Sequence, residues 1–350
     1  MNIFKIDSTK KNLIITDFLI SRLFLFIFLY LCCSFKLDKL WDCEHYINIA
    51  TKGYTEDYLY AFFPLIPVLL RIIKPIGVII LNQILSIIIA FLFYEISNSY
   101  LKTKNPIITA RLWLWPPIAV FTIIYYTEAL FLFLTLFAFY LYKKNKYLPS
   151  GIILGLSVMC RNTGSLLFFT LFIFLFIKFI KKQEKFTNIL KMYIPATIIS
   201  CIYPVYLQIK TGNWKIFVDV QYDYWQKMHC NIFTIFKNIS LITKSPKITQ
   251  PLFYIDFILT ILLILITIIL MIKNIKNKDY WEIIMFMAIT IITITSTCKS
   301  AGNPVVSYYR YLFGTFPLIL LLPQNKILLG FFKFISLFIA YFFLVGIYFY

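Results

Sequence analysis

The sequence lacks the short elements by which soluble chemistry usually shows itself. It has no glycine-rich phosphate loop, no Cys-x-x-Cys pair, no Gly-x-Ser-x-Gly element and no His-x-x-x-His pair. A nucleotide-sugar site built on a phosphate loop, a zinc cluster and a hydrolase-type nucleophile are therefore not visible. Carboxylates are scarce, with 15 Asp and Glu against 34 Lys and Arg, and charged residues of both signs make up only 14% of the chain. The seven cysteines are scattered, mostly inside apolar runs where a thiol behaves as a small hydrophobe, so they support neither a disulfide framework nor a metal site. There is no heptad pattern, no clear internal repeat and no Gly/Ser-rich linker.

Apolar surface is what the chain has in excess. With 61% hydrophobic residues, 19% aromatics and a mean hydropathy of +0.81, too little polar surface remains to cover a water-soluble globule of 350 residues. Dividing the length by the roughly 20 apolar residues of a spanning helix predicts an all-α polytopic membrane protein of roughly nine to eleven transmembrane helices. Candidate spans fall near 13–35, 64–96, 106–124, 127–142, 149–161, 163–180, 189–209, 251–272, 280–298, 305–322 and 327–349, the second being one helix plus a Pro-bounded partial one. A single integral membrane domain over residues 1–350 is the economical division, with 36–63 and 210–250 as non-cytoplasmic loops. The first apolar stretch, Leu13 to about Phe35, is too long for a signal-peptide core and has no clear small-residue cleavage site, so it reads as a retained span.

The formal charge of +19 does not point to nucleic acid, because the lysines form short clusters between apolar runs instead of one patch. These clusters are Lys10-Lys11, Lys102/Lys104, Lys143-Lys144-Lys146, Lys181-Lys182-Lys185 and Lys273/Lys276/Lys278. By the positive-inside rule all five face the cytoplasm. The chain must then cross and return between the third and fourth, turning at Arg161-Asn162-Thr163-Gly164 on the opposite face. The same alternation sends to that face the 36–63 loop, the turn from Trp115-Pro116-Pro117 to Glu128, the 210–250 segment and the Lys299 to Arg310 turn.

Ionisable groups near bilayer depth are costly, so each one has a functional and a structural reading. Asp42, Glu44 and His45 follow Trp41 within one helical turn just past the first span. An acid there can act as a partly desolvated general base, or as an ordinary helix cap or interfacial charge. Glu128 opens an apolar helix, where the helix dipole alone accounts for a carboxylate, and it shares a face with Asp42. Arg161 cannot shed its charge and wants a partner: Glu128, a lipid headgroup or a substrate phosphate. Arg310, within Tyr308-Tyr309-Arg310-Tyr311, either snorkels to the interface or meets a sugar or polyprenyl phosphate. The 210–250 segment, with Trp214, Asp219, Gln221, Tyr222, Asp223, Tyr224, Trp225 and His229, reads as an interfacial aromatic belt that could also contact substrate.

Several ordered motifs extend this picture over roughly the first half of the chain. Trp41-Asp42 is followed by Ile49-Ala50 and Gly53-Tyr54, then by Ala61-Phe62-Phe63-Pro64 and Pro67. Pro117 to Phe121, Tyr126-Thr127-Glu128-Ala129-Leu130-Phe131, Gly155-Leu156 and Arg161-Asn162-Thr163-Gly164 come next. Through these residues the sequence resembles the GPI mannosyltransferase 2 (PIG-V) family, multi-span glycosyltransferases that use lipid-phosphate sugars. Leu40 departs from the arginine that commonly precedes Trp-Asp in the family, although Lys39 is adjacent. The C-terminal half matches more weakly, mainly at Gly212-Asn213, Gln221, Trp225, Arg310-Tyr311 and Phe316-Pro317. It is compact and looks closer to bacterial relatives.

The resemblance implies transfer of mannose from dolichyl- or polyprenyl-phosphate mannose to a hydroxyl of a lipid-linked glycan acceptor, with an α-1,6 product in the eukaryotic enzyme. Asp42 would take the acceptor proton and Glu128 would orient Arg161 or a sugar hydroxyl, the two forming the catalytic pair. Arg161 and Arg310 would stabilise the departing phosphate, and Asn162, Trp41, Glu44 and His45 complete the expected substrate contacts. No cofactor is required; a divalent metal, if one were used, would fall at Asp42 and Glu44. The expected partners are donor, acceptor and membrane lipids, without nucleic acid. The host would be the endoplasmic reticulum membrane in a eukaryote or the cytoplasmic membrane in a bacterium, with the site on the non-cytoplasmic face. The competing readings are a transporter or lipid flippase and a noncatalytic subunit of a glycolipid-assembly complex. The former prefers midplane charges, paired broken helices and an inverted repeat, none of which is evident.

Overall fold

Long apolar stretches satisfy their own backbone hydrogen bonds by forming helices, and helices account for nearly all the regular structure here. The computed structural model describes residues 6–37, 40–229, 233–244, 247, 250–299 and 308–345. In chain order the helices are α1 (Ser8–Cys33), α2 (Trp41–Lys52), α3 (Leu65–Glu95), α4 (Pro106–Leu114), α5 (Glu128–Lys143), α6 (Tyr147–Cys160), α7 (Gly164–Ile180) and α8 (Phe186–Thr211). They continue as α9 (Ile216–Asp223), α10 (Thr234–Lys244), α11 (Gln250–Asn274), α12 (Trp281–Thr295), α13 (Tyr308–Phe313), α14 (Phe316–Leu321) and α15 (Lys326–Leu344). Two short strands, β1 (Lys227–His229) and β2 (Thr297–Lys299), pair antiparallel with Lys227 opposite Lys299.

Among the described residues, five helical stretches are long and apolar enough to cross a membrane: Ser8–Cys33, Leu65–Tyr100, Phe186–Thr211, Phe253–Asn274 and Lys326–Leu344. Tyr147–Cys160 and Gly164–Ile180 are shorter apolar helices. The chain is an all-α polytopic integral membrane protein. On α8, Ile194, Ile198, Ile202, Val205 and Ile209 lie exposed at helical spacing, as do Ile255, Leu259, Leu262, Ile266 and Ile269 on α11. Such stripes face lipid, where exposed hydrocarbon carries no penalty.

The expected spans change shape where proline intervenes. In α3, Pro75 removes a donor and Lys74 takes φ 63°, so the helix kinks there before ending in a π-helical turn over Ile96–Tyr100. The span expected at 106–124 is helical only to Leu114. Pro116 and Pro117 break it, and the chain continues to Thr127 as irregular backbone with one 3-10 turn at Ala119–Thr122. The span expected at 305–322 is likewise divided into α13 and α14 around Gly314-Thr315, its first residues lying outside the described ones. The expected 36–63 loop contains α2 and a 3-10 turn at Asp57–Ala61.

Buried irregular backbone must find partners for its polar groups. Asn82 of α3 donates from Nδ2 to the Ile124 carbonyl at 2.7 Å, and Gln83 donates from Nε2 to the Thr122 carbonyl at 3.1 Å. Arg22 of α1 donates from Nη1 to Thr122 Oγ1 at 3.0 Å. These contacts hold the stretch that leads into Tyr126, Thr127 and Glu128. A second brace joins α1, α4 and α15: buried Asp17 accepts from Arg111 and, at 3.1 Å, from Lys333.

Helices α6 and α8 pack through small residues. A β-carbon on Gly151 would lie 1.9 Å from the Met192 carbonyl oxygen, and one on Gly155 would lie 2.7 Å from Ile199 Cβ. This Gly-x-x-x-Gly spacing lets the two backbones approach closely. At the following turn, a β-carbon on Gly164 would lie 2.6 Å from the Ser157 carbonyl, so the start of α7 folds tightly over the end of α6. That closeness fixes Arg161, which sits between them.

Candidate active site

Four helix ends meet around one cavity of about 330 Å³. The start of α2 supplies Asp42, the start of α5 supplies Glu128, the residue after α6 is Arg161, and α13 supplies Arg310. Arg310 donates from Nη2 to Asp42 Oδ2 at 2.9 Å and from Nε to Glu128 Oε1 at 2.5 Å. Arg161 donates from Nη1 to the same Glu128 oxygen at 3.1 Å. Two arginines and two carboxylates thus form one charge-balanced network. Residues 268 apart in sequence close it.

Glu128 has no exposed surface, whereas the side chains of Asp42 and Arg310 retain 15% and 13% exposure. Asp42, Arg161 and Arg310 line the cavity, while Glu128 lies behind the two arginines and acts on the cavity through them. As the first residue of α5, its carboxylate also meets the positive end of the helix dipole. Asp42 is anchored from a second side, because its backbone N–H donates to the Tyr126 hydroxyl at 3.2 Å. Aromatic faces set the arginine planes. The Arg310 guanidinium lies 4.7 Å from the ring centroids of both Phe121 and Tyr126, and that of Arg161 lies 5.3 Å from Tyr311 and 5.6 Å from Phe131.

The remaining expected contacts separate. Asn162 lines the cavity beside Arg161. His45 does not line it, but packs against Phe62 at 4.8 Å and against Tyr58 and Trp225 at 5.6 Å, and so supports the cavity wall. Burial pushes its imidazole pKa below the ordinary value, against the opposing pull of Asp42 and Glu44. Glu44 is exposed on another side of α2, as residues two apart on a helix do not face each other. Asp42 and Glu44 therefore do not converge. Among the described residues no group of three or more His, Cys, Asp or Glu could hold a metal ion. Trp41 opens α2, but its side chain is outside the described residues, as is that of His229.

From the aromatic segment at 210–250, Gln221 and Trp225 reach the cavity, while Trp214, Tyr222 and Tyr224 are exposed and Asp219 accepts from Asn213 Nδ2 at 2.7 Å. Among the other lining residues are Tyr126, Tyr311 and Lys227. Tyr126 and Tyr311 lie within the sequence motifs quoted above, but the sequence assigns neither a role of its own. Lys227 is hidden among the many lysines.

Curated relatives bear on this geometry. Over 141 residues the chain is 28% identical to the protein named GPI alpha-1,6-mannosyltransferase 2 in Rattus norvegicus. The chain is similar to the GPI alpha-1,6-mannosyltransferase 2 proteins. The rat match covers 35% of this chain and 29% of the rat protein, so it spans less than a third of that relative's length. The GPI alpha-1,6-mannosyltransferase 2 proteins of Mus musculus and Homo sapiens match at the same 28% identity over 141 residues. No family model matches the chain, and no solved structure does.

Proposed function

We propose that this protein is a membrane glycosyltransferase that moves mannose from a polyprenyl- or dolichyl-phosphate carrier to a hydroxyl of a lipid-linked glycan. The observation that carries the reading is the convergence of Asp42, Arg161 and Arg310 on one cavity that also has apolar walls at Phe63, Phe131, Leu166, Phe217 and Phe343. The charged groups suit a sugar phosphate, and the apolar walls suit an isoprenoid chain. The similarity to the GPI alpha-1,6-mannosyltransferase 2 proteins supports the same sugar and reaction class.

In this reading the acceptor oxygen attacks C1 of the mannosyl group, and the bond from C1 to the phosphate oxygen breaks with its electron pair going to the phosphate. Asp42 takes the acceptor proton. Arg310 holds Asp42 by Oδ2, which orients the carboxylate toward the cavity, and Glu128 fixes both arginines. The Arg161 plane, held by the Tyr311 and Phe131 rings, adds fixed positive charge beside the leaving phosphate. The five lysine clusters support a site on the non-cytoplasmic face.

The test supplies radiolabelled polyprenyl-phosphate mannose to membranes with and without the intact chain, with labelled GDP-mannose in parallel. Label appearing in a lipid-linked product only with the chain and the lipid donor supports the proposal. Transfer from GDP-mannose alone, or none from either donor with any lipid acceptor, contradicts it.

A further inference from the structure

Among the described residues, the cavity lining holds one cation that the network above does not use. Its lining residues include three basic groups, Arg161, Arg310 and Lys227. The carboxylates of Asp42 and Glu128 are occupied by the two arginines. Among the described residues no carboxylate lies within ion-pair distance of Lys227, whose Nζ instead donates to the Tyr311 hydroxyl at 3.5 Å and lies 6.0 Å from the centre of that ring. Tyr311 is shared, since Arg161 lies 5.3 Å from the same ring. Lys227 is held here by β1, whose partner strand β2 contributes Thr297 and Cys298 to the cavity wall. Trp225 and Gln221, just upstream, line it as well.

An ammonium with no carboxylate partner, aimed at a cavity and paired with a hydroxyl donor, is a site for an anion. We infer that Lys227 and the Tyr311 hydroxyl form the phosphate subsite for an isoprenoid lipid monophosphate, while Arg310 stays committed to Asp42 and Glu128. This inference rests on the proposed transferase reading. A sugar-bearing lipid phosphate is a phosphodiester with one negative charge, and cleavage of its C1–O bond leaves a phosphate monoester with a second. The added charge appears on the leaving oxygen, where a mobile point charge such as Lys227 can follow it. The division of labour then places proton transfer at Asp42 and leaving-group charge at Lys227, with Arg161 against the same Tyr311 ring as Lys227.

The experiment measures binding of radiolabelled polyprenyl monophosphate, without sugar, to the full chain in phosphatidylcholine nanodiscs. Wild type is compared with Lys227→Ala, Lys227→Gln and Lys227→Arg, and mannose transfer is measured on the same preparations. The expected result is affinity weakened by about tenfold or more in Lys227→Ala and Lys227→Gln, the loss of one charge-assisted contact, with Lys227→Arg close to wild type. Binding of the uncharged polyprenol should be the same in all four. Inorganic phosphate and added phosphatidylglycerol should fail to displace the ligand; displacement by either at equal concentration would show a general phosphate or headgroup site and overturn the inference. Wild-type affinity in both Lys227→Ala and Lys227→Gln, alongside normal transfer, overturns the subsite and leaves the transferase reading standing. Lysine-dependent binding without any transfer by wild type keeps the subsite and removes the transferase. No binding by wild type overturns the subsite, and whether transfer persists then decides the reading beneath it.

Discussion

Glu128 holds Arg310 from behind the cavity: a carboxylate with no exposed surface accepts from Arg310 Nε at 2.5 Å and leaves Nη2 free to reach Asp42 at 2.9 Å. The same oxygen holds Arg161 at 3.1 Å, so one buried acid sets the direction of two cations.

Replacing Glu128 with Gln keeps the shape and leaves two arginines short of one negative charge. Removing one partner of a buried ion pair typically costs about 3–5 kcal/mol. Glu128→Gln should therefore lower the thermal midpoint and cut kcat/KM by about 100-fold, as expected when a group that orients catalytic residues is lost. Glu128→Asp should recover stability more than activity, because the charge returns but the reach to both arginines shortens. Thermal unfolding in detergent beside transfer kinetics checks this, and full activity in Glu128→Gln would contradict it.

Packing between α6 and α8 gives a prediction away from the charges. Any β-carbon at Gly151 meets the Met192 carbonyl, so Gly151→Val forces the helices apart. Overpacking of this kind costs about 1–3 kcal/mol. Since α6 ends at Cys160, immediately before Arg161, transfer should fall along with the thermal midpoint. An unchanged midpoint would show that the interface gives way more easily than this geometry allows.

His45 predicts a pH dependence. Burial lowers its folded-state pKa, so on acidification the unfolded chain takes up the proton first. The stability that this residue contributes is complete above the ordinary histidine value of about 6.5 and is lost as pH falls from there through the folded-state value. Thermal midpoints at pH 7.5 and 5.5, both chosen to lie about one unit either side of that value, should differ less in His45→Phe than in wild type. An equal difference would remove His45 from the acid response.

Composition made the membrane class legible, because no soluble fold can hide so much apolar surface. Asp42, Glu128, Arg161 and Arg310 were each visible as ionisable groups beside apolar helices, where water gives little help. Glu128 is one of the partners the sequence offers Arg161, but the pairing of Arg310 with both Asp42 and Glu128 is not visible there, since it depends on helix ends brought together across as many as 268 residues. The paired prolines at Pro116 and Pro117 carried a plain breaking signal, yet hydropathy continues smoothly past them, and a span drawn on hydropathy alone ran on to residue 124. Lys227 was illegible for a different reason. In a chain with 34 basic residues, one lysine becomes distinctive only when, among the described residues, no carboxylate lies within ion-pair distance of it.

The most direct measurement is single-turnover transfer of labelled mannose from polyprenyl-phosphate mannose by wild type and Asp42→Asn, with donor binding measured on the same preparations. Asparagine keeps an acceptor oxygen for Arg310 but cannot take a proton. With Asp42 as the base, the chemical step should slow by about 100-fold or more, within the range general-base catalysis contributes, while donor affinity changes little. An Asp42→Asn protein that transfers mannose at the wild-type rate would contradict the account.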